Sequence, residues 1–467
     1  MPDRSPAPPR VAVLADSDTR WKWGALTARR IAPGSQVHGF LLRGRATPTE
    51  RQLAETGAEA DELREIDAHS FLARMAQCAP AAGSSADGSP DSLPSGTDTG
   101  SQGYDVVVLA CVGGTIQAML HGLARAWHGA RRRPVIVTGY VGVVYEKLTD
   151  GLLLRHGADM ILANSRFDAE RFRAVYEGVR ADASAVTECA LPFLGGDPYD
   201  PEAVERGERP FRVVFAVQPS VPDSRRDRVY LLERAMDHAR AHPSREVVLK
   251  LRSKPGEHTT HVEELPYQRL ADRAKDRQPP NFRLSYGNMG EVLDGTDLLV
   301  TVSSTAALEA LQRGIPAAIL TDLGIREPLG NHYFAGSGCY ASWDELDSGY
   351  LPRPDAGWLE RQGIGASPDE AFTEARKRLS ELVAAAREGE LLPIAPYYTV
   401  RTAPGYLPHV LARHGLDVTG EPDASRAPQP ATGLRGASRR VLRRTARGAY
   451  RAGVQRVAPV IRRWGQL

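Results

Sequence analysis

The sequence predicts an α/β protein built from two doubly wound, Rossmann-like domains, and three observations carry that reading. Short apolar runs such as VAVLA recur, each followed by a turn and a helix-forming segment, the pattern of parallel strands buried on both faces. This alternation runs to about residue 200 and then starts afresh at RPFRVVFAVQPS. A chain of 467 residues with 42% hydrophobic content is long enough for two domains of ordinary size plus tails.

In chain order, Val11 to Ala15 form the first strand, DSDTRWKWG leads into a helix around 25–30, and VHGFLL at 37–42 forms the second strand. Residues 80–103 are Ser, Gly, Asp, Pro, Ala and Thr with hardly a large apolar side chain, so a disordered surface insertion is expected there. Strands resume at YDVVVLACVGG, PVIVTGYVG and ADMILANS, the last followed by helix RFDAERFRAVYEGV. In the second series the strands are RPFRVVFAVQPS, REVVLKLRSKPG, NFRLSYGN, DLLVTVSS and IPAAILTD, with helices at 225–242, 261–276, 289–294 and 305–313. YLPHVLARHGL reads as a closing helix. The expected boundaries are 1–205 and 206–395 for the two domains, 396–417 for the closing segment, and 418–467 for a linker and basic tail.

The tail has its own character. Between Arg435 and Trp464 there is no acidic residue, and arginines such as Arg443, Arg447 and Arg451 are interleaved with Val441, Leu442, Tyr450 and Ile461. This suits a basic amphipathic helix lying on an anionic membrane surface, and suits a solvated tail equally well.

Composition excludes several classes. Lys and Arg (59) nearly balance Asp and Glu (57), so there is no global nucleic-acid signature. No apolar run is long enough to span a membrane, and MPDRSPAPPR lacks a signal peptide's apolar core, so a cytoplasmic location is the default expectation. Cys78, Cys111, Cys189 and Cys339 are scattered without a CxxC pair, which argues against disulfides and structural zinc. GGT at 113–115 lacks the spacing of a dinucleotide fingerprint and no P-loop motif is present.

What remains is a cleft between two α/β domains, where ligands bind at the carboxyl ends of the strands. Those ends in the second domain carry Gln218, Pro219 and Ser220; Arg252, Ser253, Lys254 and Pro255; Tyr286, Gly287 and Asn288; and Ser303, Ser304 and Thr305 at the head of a helix. Cations, hydroxyls and a helix N-terminus together suit the phosphates of a nucleotide, the loop at Gly287 suits its base, and Glu309 is placed to reach a ribose. Taken singly, each is equally a cap, a turn or a solvated lysine.

The succession QP, KLRSKP, YGN and SSTAALEALQRGIP resembles the donor half of GT-B glycosyltransferases, notably bacterial sialyl- and polysialyltransferases with their basic-Pro and SS motifs. ADMILANSRFDAERFRAVY resembles the last strand and helix of a GT-B acceptor domain. The whole chain, with DSDTRWKWG near its start, is similar over about 10–415 to an uncharacterised family of actinomycete glycosyltransferase-like proteins. Where sialyltransferases commonly carry His-Pro, this chain has Lys254-Pro255, which leaves the donor open.

The resemblance implies an inverting, metal-independent transfer from a nucleotide sugar, with no further cofactor, to a cell-surface or lipid-linked glycan. Asp16 or Asp18 would be the general base, although Asp16 is equally placed to cap the first helix; Glu146 is a second candidate. His332 in GNHYFAGSG would meet the leaving phosphate, and Trp21 and Trp23 would stack on a sugar unless they are core. A nucleotide-sugar epimerase or polyol-phosphate transferase on the same fold, and a non-catalytic glycan-binding or scaffold protein, are the rival readings.

Overall fold

The computed structural model describes residues 8–44, 46–79, 103–143, 148–254 and 265–423. Residues 80–102 of the expected insertion, Glu146, Pro255 and the basic segment 435–464 lie outside the described residues.

The first half is a seven-stranded sheet of β1 (Arg10–Ala15), β2 (Gln36–Leu42), β3 (Glu62–Ile66), β4 (Val106–Ala110), β5 (Val135–Gly139), β6 (Met160–Ala163) and β7 (Val186–Glu188), in the order β3-β2-β1-β4-β5-β6-β7. The second is a six-stranded sheet of β8 (Arg212–Ala216), β9 (Glu246–Lys250), β10 (Phe282–Ser285), β11 (Leu298–Thr301), β12 (Ala317–Leu320) and β13 (Tyr340–Ala341), in the order β10-β9-β8-β11-β12-β13. All pairings are parallel. Strand order reverses between β1 and β4 in one sheet and between β8 and β11 in the other, the switch points where α/β proteins bind ligands. The α/β, doubly wound expectation is therefore met in both halves.

Apolar strand runs account for the sheets. Val106–Ala110, Val135–Gly139 and Leu298–Thr301 are buried at every position, because helices cover both faces. No such run marks β3, whose ELREI is exposed at four of its five residues: it is an edge strand, blunted by charge.

One packing feature departs from the expected boundaries. Helix Thr373–Glu388, placed by sequence with the second domain, packs on β5, β7 and helix Asp18–Ile31 of the first half. Its Ala375, Leu379, Leu382, Val383 and Ala386 form the buried stripe, spaced as one helix face. The closing helix, Leu407–Ala412, packs on helix Gly113–Ala126, and the expected linker begins folded, with Glu421 paired to Arg125 at 3.0 Å. A single apolar cluster runs from Val11, Trp23 and Val137 through Leu299, Ala306 and Trp358 to Leu379, so the halves share a core across their seam. No helix among the described residues is long and apolar enough to cross a membrane.

Candidate functional site

The strand ends of both sheets meet at this seam. On the first half, β1 ends in Asp16-Ser17-Asp18, and it is Ser17, not Asp16, that caps the following helix by accepting from the Arg20 amide. Asp16 instead ties strand ends together: one oxygen accepts from Arg20 Nη1 at 2.9 Å and the other from the Val112 amide beyond β4 at 3.0 Å. Asp18 points to the second half, where its Oδ1 accepts from Arg252 Nη2 at 2.9 Å; Arg252 also bonds Thr19. The candidate base and a candidate phosphate-binding cation are thus an ion pair across the seam.

On the second half, the paired serines divide their work. Ser303 is 1% exposed; its amide donates to Gln218 Oε1 at 3.0 Å and its hydroxyl to the Leu329 carbonyl at 2.5 Å. Ser304 Oγ accepts from the Ala306 amide at 3.3 Å, at the head of helix Ala306–Gln312. Thr305, at that helix's N-cap position, reaches across the seam, its Oγ1 accepting from the Val143 amide at 3.4 Å. Gly142 is needed there, since a Cβ on it would lie 2.6 Å from Thr305 Oγ1. The Ser303 hydroxyl consequently braces the loops rather than facing the cleft, and Gln218 Oε1 is engaged with Ser303.

Arg252 and Lys254 follow β9, and Lys254 Nζ lies 5.9 Å from the Tyr286 ring centre. Gly287 has φ +106°, a left-handed backbone that suits glycine, and Asn288 caps helix Met289–Leu293 by accepting from the Gly290 amide at 2.8 Å. Glu309 is not at the surface awaiting a ribose. It is buried and pairs with Lys22 of the first half at 3.6 Å; burial raises its pKa, opposed by Lys22. Lys250 is buried close by, and loss of solvent brings its pKa down to about 8, opposed by Glu55 and Glu309.

Trp21 and Trp23 are core residues, 1% and 0% exposed, which removes them as sugar platforms. His332 sits in the 3₁₀ turn Asn331–Phe334 and lines a cavity of about 210 Å³ with Phe167, Arg171, Tyr333, Trp358 and Arg361. Beside it, Asp168 in the first turn of helix Arg166–Gly178 is buried, and desolvation pushes its carboxyl up to about 6 against the pull of Arg171.

Three residues at or behind the strand ends of the first half escaped the sequence reading. Arg155 is buried, donating to the carbonyls of Gly139 (2.9 Å) and Gly151 (2.7 Å), with its guanidinium 4.0 Å from the Tyr140 ring centre. His414, just past the closing helix, has its pKa lowered by burial and raised in turn by Asp16. Asp168 carried a signal, standing three residues after the capping Ser165.

One group among the described residues has metal-ligand spacing: His238, His242 and Asp347. Both His238 nitrogens are already engaged, Nδ1 with Asp347 at 2.6 Å and Nε2 with Arg245 at 3.2 Å. His242 caps the C-terminal end of helix Arg225–Ala241, which places the group at the sheet edge opposite the cleft.

Solved structures similar to this chain include a UDP complex of S. aureus MnaA (10% identity, 82% of this chain and 98% of that chain, TM-score 0.48). Another is Neisseria meningitidis UDP-GlcNAc 2-epimerase bound to UDP-GlcNAc (9% identity, 80% and 99% covered, TM-score 0.44). A third is a UDP-glucosyltransferase from Polygonum tinctorium (12% identity, 83% and 100% covered, TM-score 0.42). Among curated proteins no sequence match is found. The profile of the family described as "Putative glycosyltransferase (DUF6716)" matches residues 11–382, the span holding both sheets and every cleft residue named above except His414, and the chain belongs to that family.

Proposed function

We propose that this protein is a metal-independent, inverting glycosyltransferase that binds a nucleotide sugar on its second half and an acceptor glycan against its first. The observation that carries the reading is the Asp18–Arg252 pair: a carboxylate from the switch point of the first sheet and a guanidinium from the loop after β9 of the second meet at 2.9 Å. A donor phosphate that takes Arg252, with Lys254 beside it, releases Asp18 to accept the proton of the acceptor hydroxyl as the new glycosidic bond forms. Proton, sugar and leaving nucleotide are then accounted for: the sugar goes to the acceptor oxygen, the proton to Asp18, and the nucleotide leaves with the bonding electrons. The head of helix Ala306–Gln312 supplies further positive character to the departing phosphate, and His332 stands beyond it, in the turn after β12.

Asp16 holds Asp18's loop in register through Val112 and Arg20. Tyr286, Gly287 and Asn288 flank the base, and Ser304 and Thr305 flank the phosphates. A cell-surface or lipid-linked glycan is the acceptor class that the basic segment 435–464 suggests, through contact with the inner face of an anionic membrane. The sialyl- and polysialyltransferase likeness of the SS and basic-Pro motifs makes CMP a nucleotide to test beside UDP.

The test is calorimetric titration of the full chain with CMP, CDP, UDP and GDP in separate runs, followed by product analysis with the matching nucleotide sugar. Selective binding of one nucleotide, kept in Asp18→Asn while transfer is lost, supports the reading. Turnover of free nucleotide sugar to an epimer without acceptor selects the epimerase instead, and binding of no nucleotide selects a scaffold.

A further inference from the structure

The cavity around His332 is bounded by both halves, and its position along the cleft gives it a use. Strand order in the second sheet fixes a sequence of loops across the seam: β10 and β9 deliver Tyr286, Lys254 and Arg252, β11 delivers Ser304 and Thr305, and β12 leads to the turn holding His332. Neighbouring strands lie about 4.8 Å apart. Base, phosphate and reacting sugar would thus be laid out in that order, with the cavity at the end where the acceptor enters.

Its walls are of a definite chemical kind. Phe167 and Arg171 come from helix Arg166–Gly178 of the first half, His332 and Tyr333 from the turn Asn331–Phe334, and Trp358 and Arg361 from helix Ala356–Arg361. The aromatic rings are packed edge to face: Phe167 and Tyr333 at 6.4 Å and 78°, Tyr333 and Trp358 at 6.4 Å and 85°. Tyr333 is further fixed by donating its hydroxyl proton to Gln362 Oε1 at 2.7 Å. Tyr333 and Trp358 are core rings, 8% and 2% exposed, that form the base of the cavity, and it is the half-buried Phe167 that offers a ring to the C–H surface of a pyranose. Two arginines line it, Arg171 from the first half and Arg361 from the second. Arg171 is paired with the buried carboxyl of Asp168 at 3.4 Å, whereas Arg361 is exposed at the cavity's rim. At about 210 Å³ the cavity falls below the ~300–1,000 Å³ of sites that enclose a drug-sized ligand, which suits one substituted sugar ring rather than a whole nucleotide sugar.

We propose that this cavity binds a sugar ring bearing an oxyanion, a phosphate or a carboxylate, as the acceptor end of the transfer. The inference rests on the glycosyltransferase reading and deepens it by naming the acceptor's chemical class. Arg361 gives the handle, because it is exposed and its replacement leaves the apolar walls in place.

The experiment titrates the full chain with a hexose 6-phosphate, the corresponding hexuronate and the neutral hexose, with and without saturating nucleotide. Wild type, Arg361→Glu and Arg361→Lys are compared, and each also receives CMP, CDP, UDP and GDP. The expected result is that a charged sugar binds at least about 10-fold more tightly than the neutral one and weakens about 10-fold or more in Arg361→Glu, with Arg361→Lys between. Nucleotide binding should be the same in all three proteins. A stronger phosphate arm identifies a phosphorylated acceptor, and a stronger uronate arm a carboxylated one. Nucleotide binding without Arg361-dependent sugar binding overturns this proposal and leaves the glycosyltransferase reading standing; absence of both removes both.

Discussion

Asp168 offers a quantitative test of the packing beside the cleft. Its carboxyl is 1% exposed, and burial lifts its pKa from the usual 3.8 to about 6. The groups that face it are Arg171 on its own helix, Tyr140 and Cys189 from the strand ends, and Tyr333 from the second half. Burial raises the pKa of each of these tyrosines and of the cysteine, so between pH 4 and 8 only Arg171 among these carries charge. A carboxyl whose folded pKa lies above its unfolded one keeps its proton longer in the folded state. Its contribution to stability is therefore fully present below the unfolded pKa and falls as pH rises through about 6. Each pH unit between the unfolded and folded pKa costs about 1.4 kcal/mol, so ionising this carboxyl in place carries a penalty of about 3 kcal/mol at pH 8. Asp168→Asn mimics the protonated acid and escapes that penalty. Urea unfolding of both proteins from pH 4 to 8 should show near-equal stability at pH 4 and an advantage for the variant that grows up to about 3 kcal/mol by pH 8. A pH-independent difference, or a variant that is weaker at pH 8, would refute the argument.

Other tests address the seam. Lys22→Met should destabilise by about 3–5 kcal/mol by stranding the buried Glu309 carboxylate, and adding Glu309→Leu should recover most of the loss, as a double-mutant cycle in urea will read. Gly142→Ala places a Cβ against Thr305 Oγ1 and should cost about 1–3 kcal/mol of stability, with a smaller cost when Thr305→Ala is present. Ser303→Ala should lower the unfolding midpoint by an amount equivalent to about 1–2 kcal/mol, because the Leu329 carbonyl loses its donor. Arg252→Ala should weaken binding of the selected nucleotide by about 1–3 kcal/mol in calorimetry, an interaction that Ser303 does not share.

Both sheets were largely legible because parallel strands buried on two faces leave unmistakable apolar runs, and because Ser, Gly and Pro punctuate the turn after each. The strand-end loops, including Arg252, Lys254, Gly287 and Ser304, came with them, since a loop's place at a strand's carboxyl end follows from chain direction alone. What local pattern does not encode is the partner. Ser303 looks like a ligand hydroxyl until the Leu329 carbonyl, 26 residues on, takes its proton. Glu309 looks exposed until helix Asp18–Ile31 of the other half covers it with Lys22. Trp21 and Trp23 sit next to polar Asp18 and Arg20 in sequence, yet both turn into the shared core. His414 reaches the neighbourhood of Asp16 only because the chain doubles back.

That doubling back constrains how the protein moves. The polypeptide crosses from the first sheet to the second between β7 and β8, and crosses back ahead of helix Thr373–Glu388. A joint made of one filament swivels in any direction, whereas two filaments define a line and permit bending chiefly about it. Here the two crossings flank a shared apolar cluster, so any bending about that line would have to part the Asp18–Arg252 pair and expose part of that core.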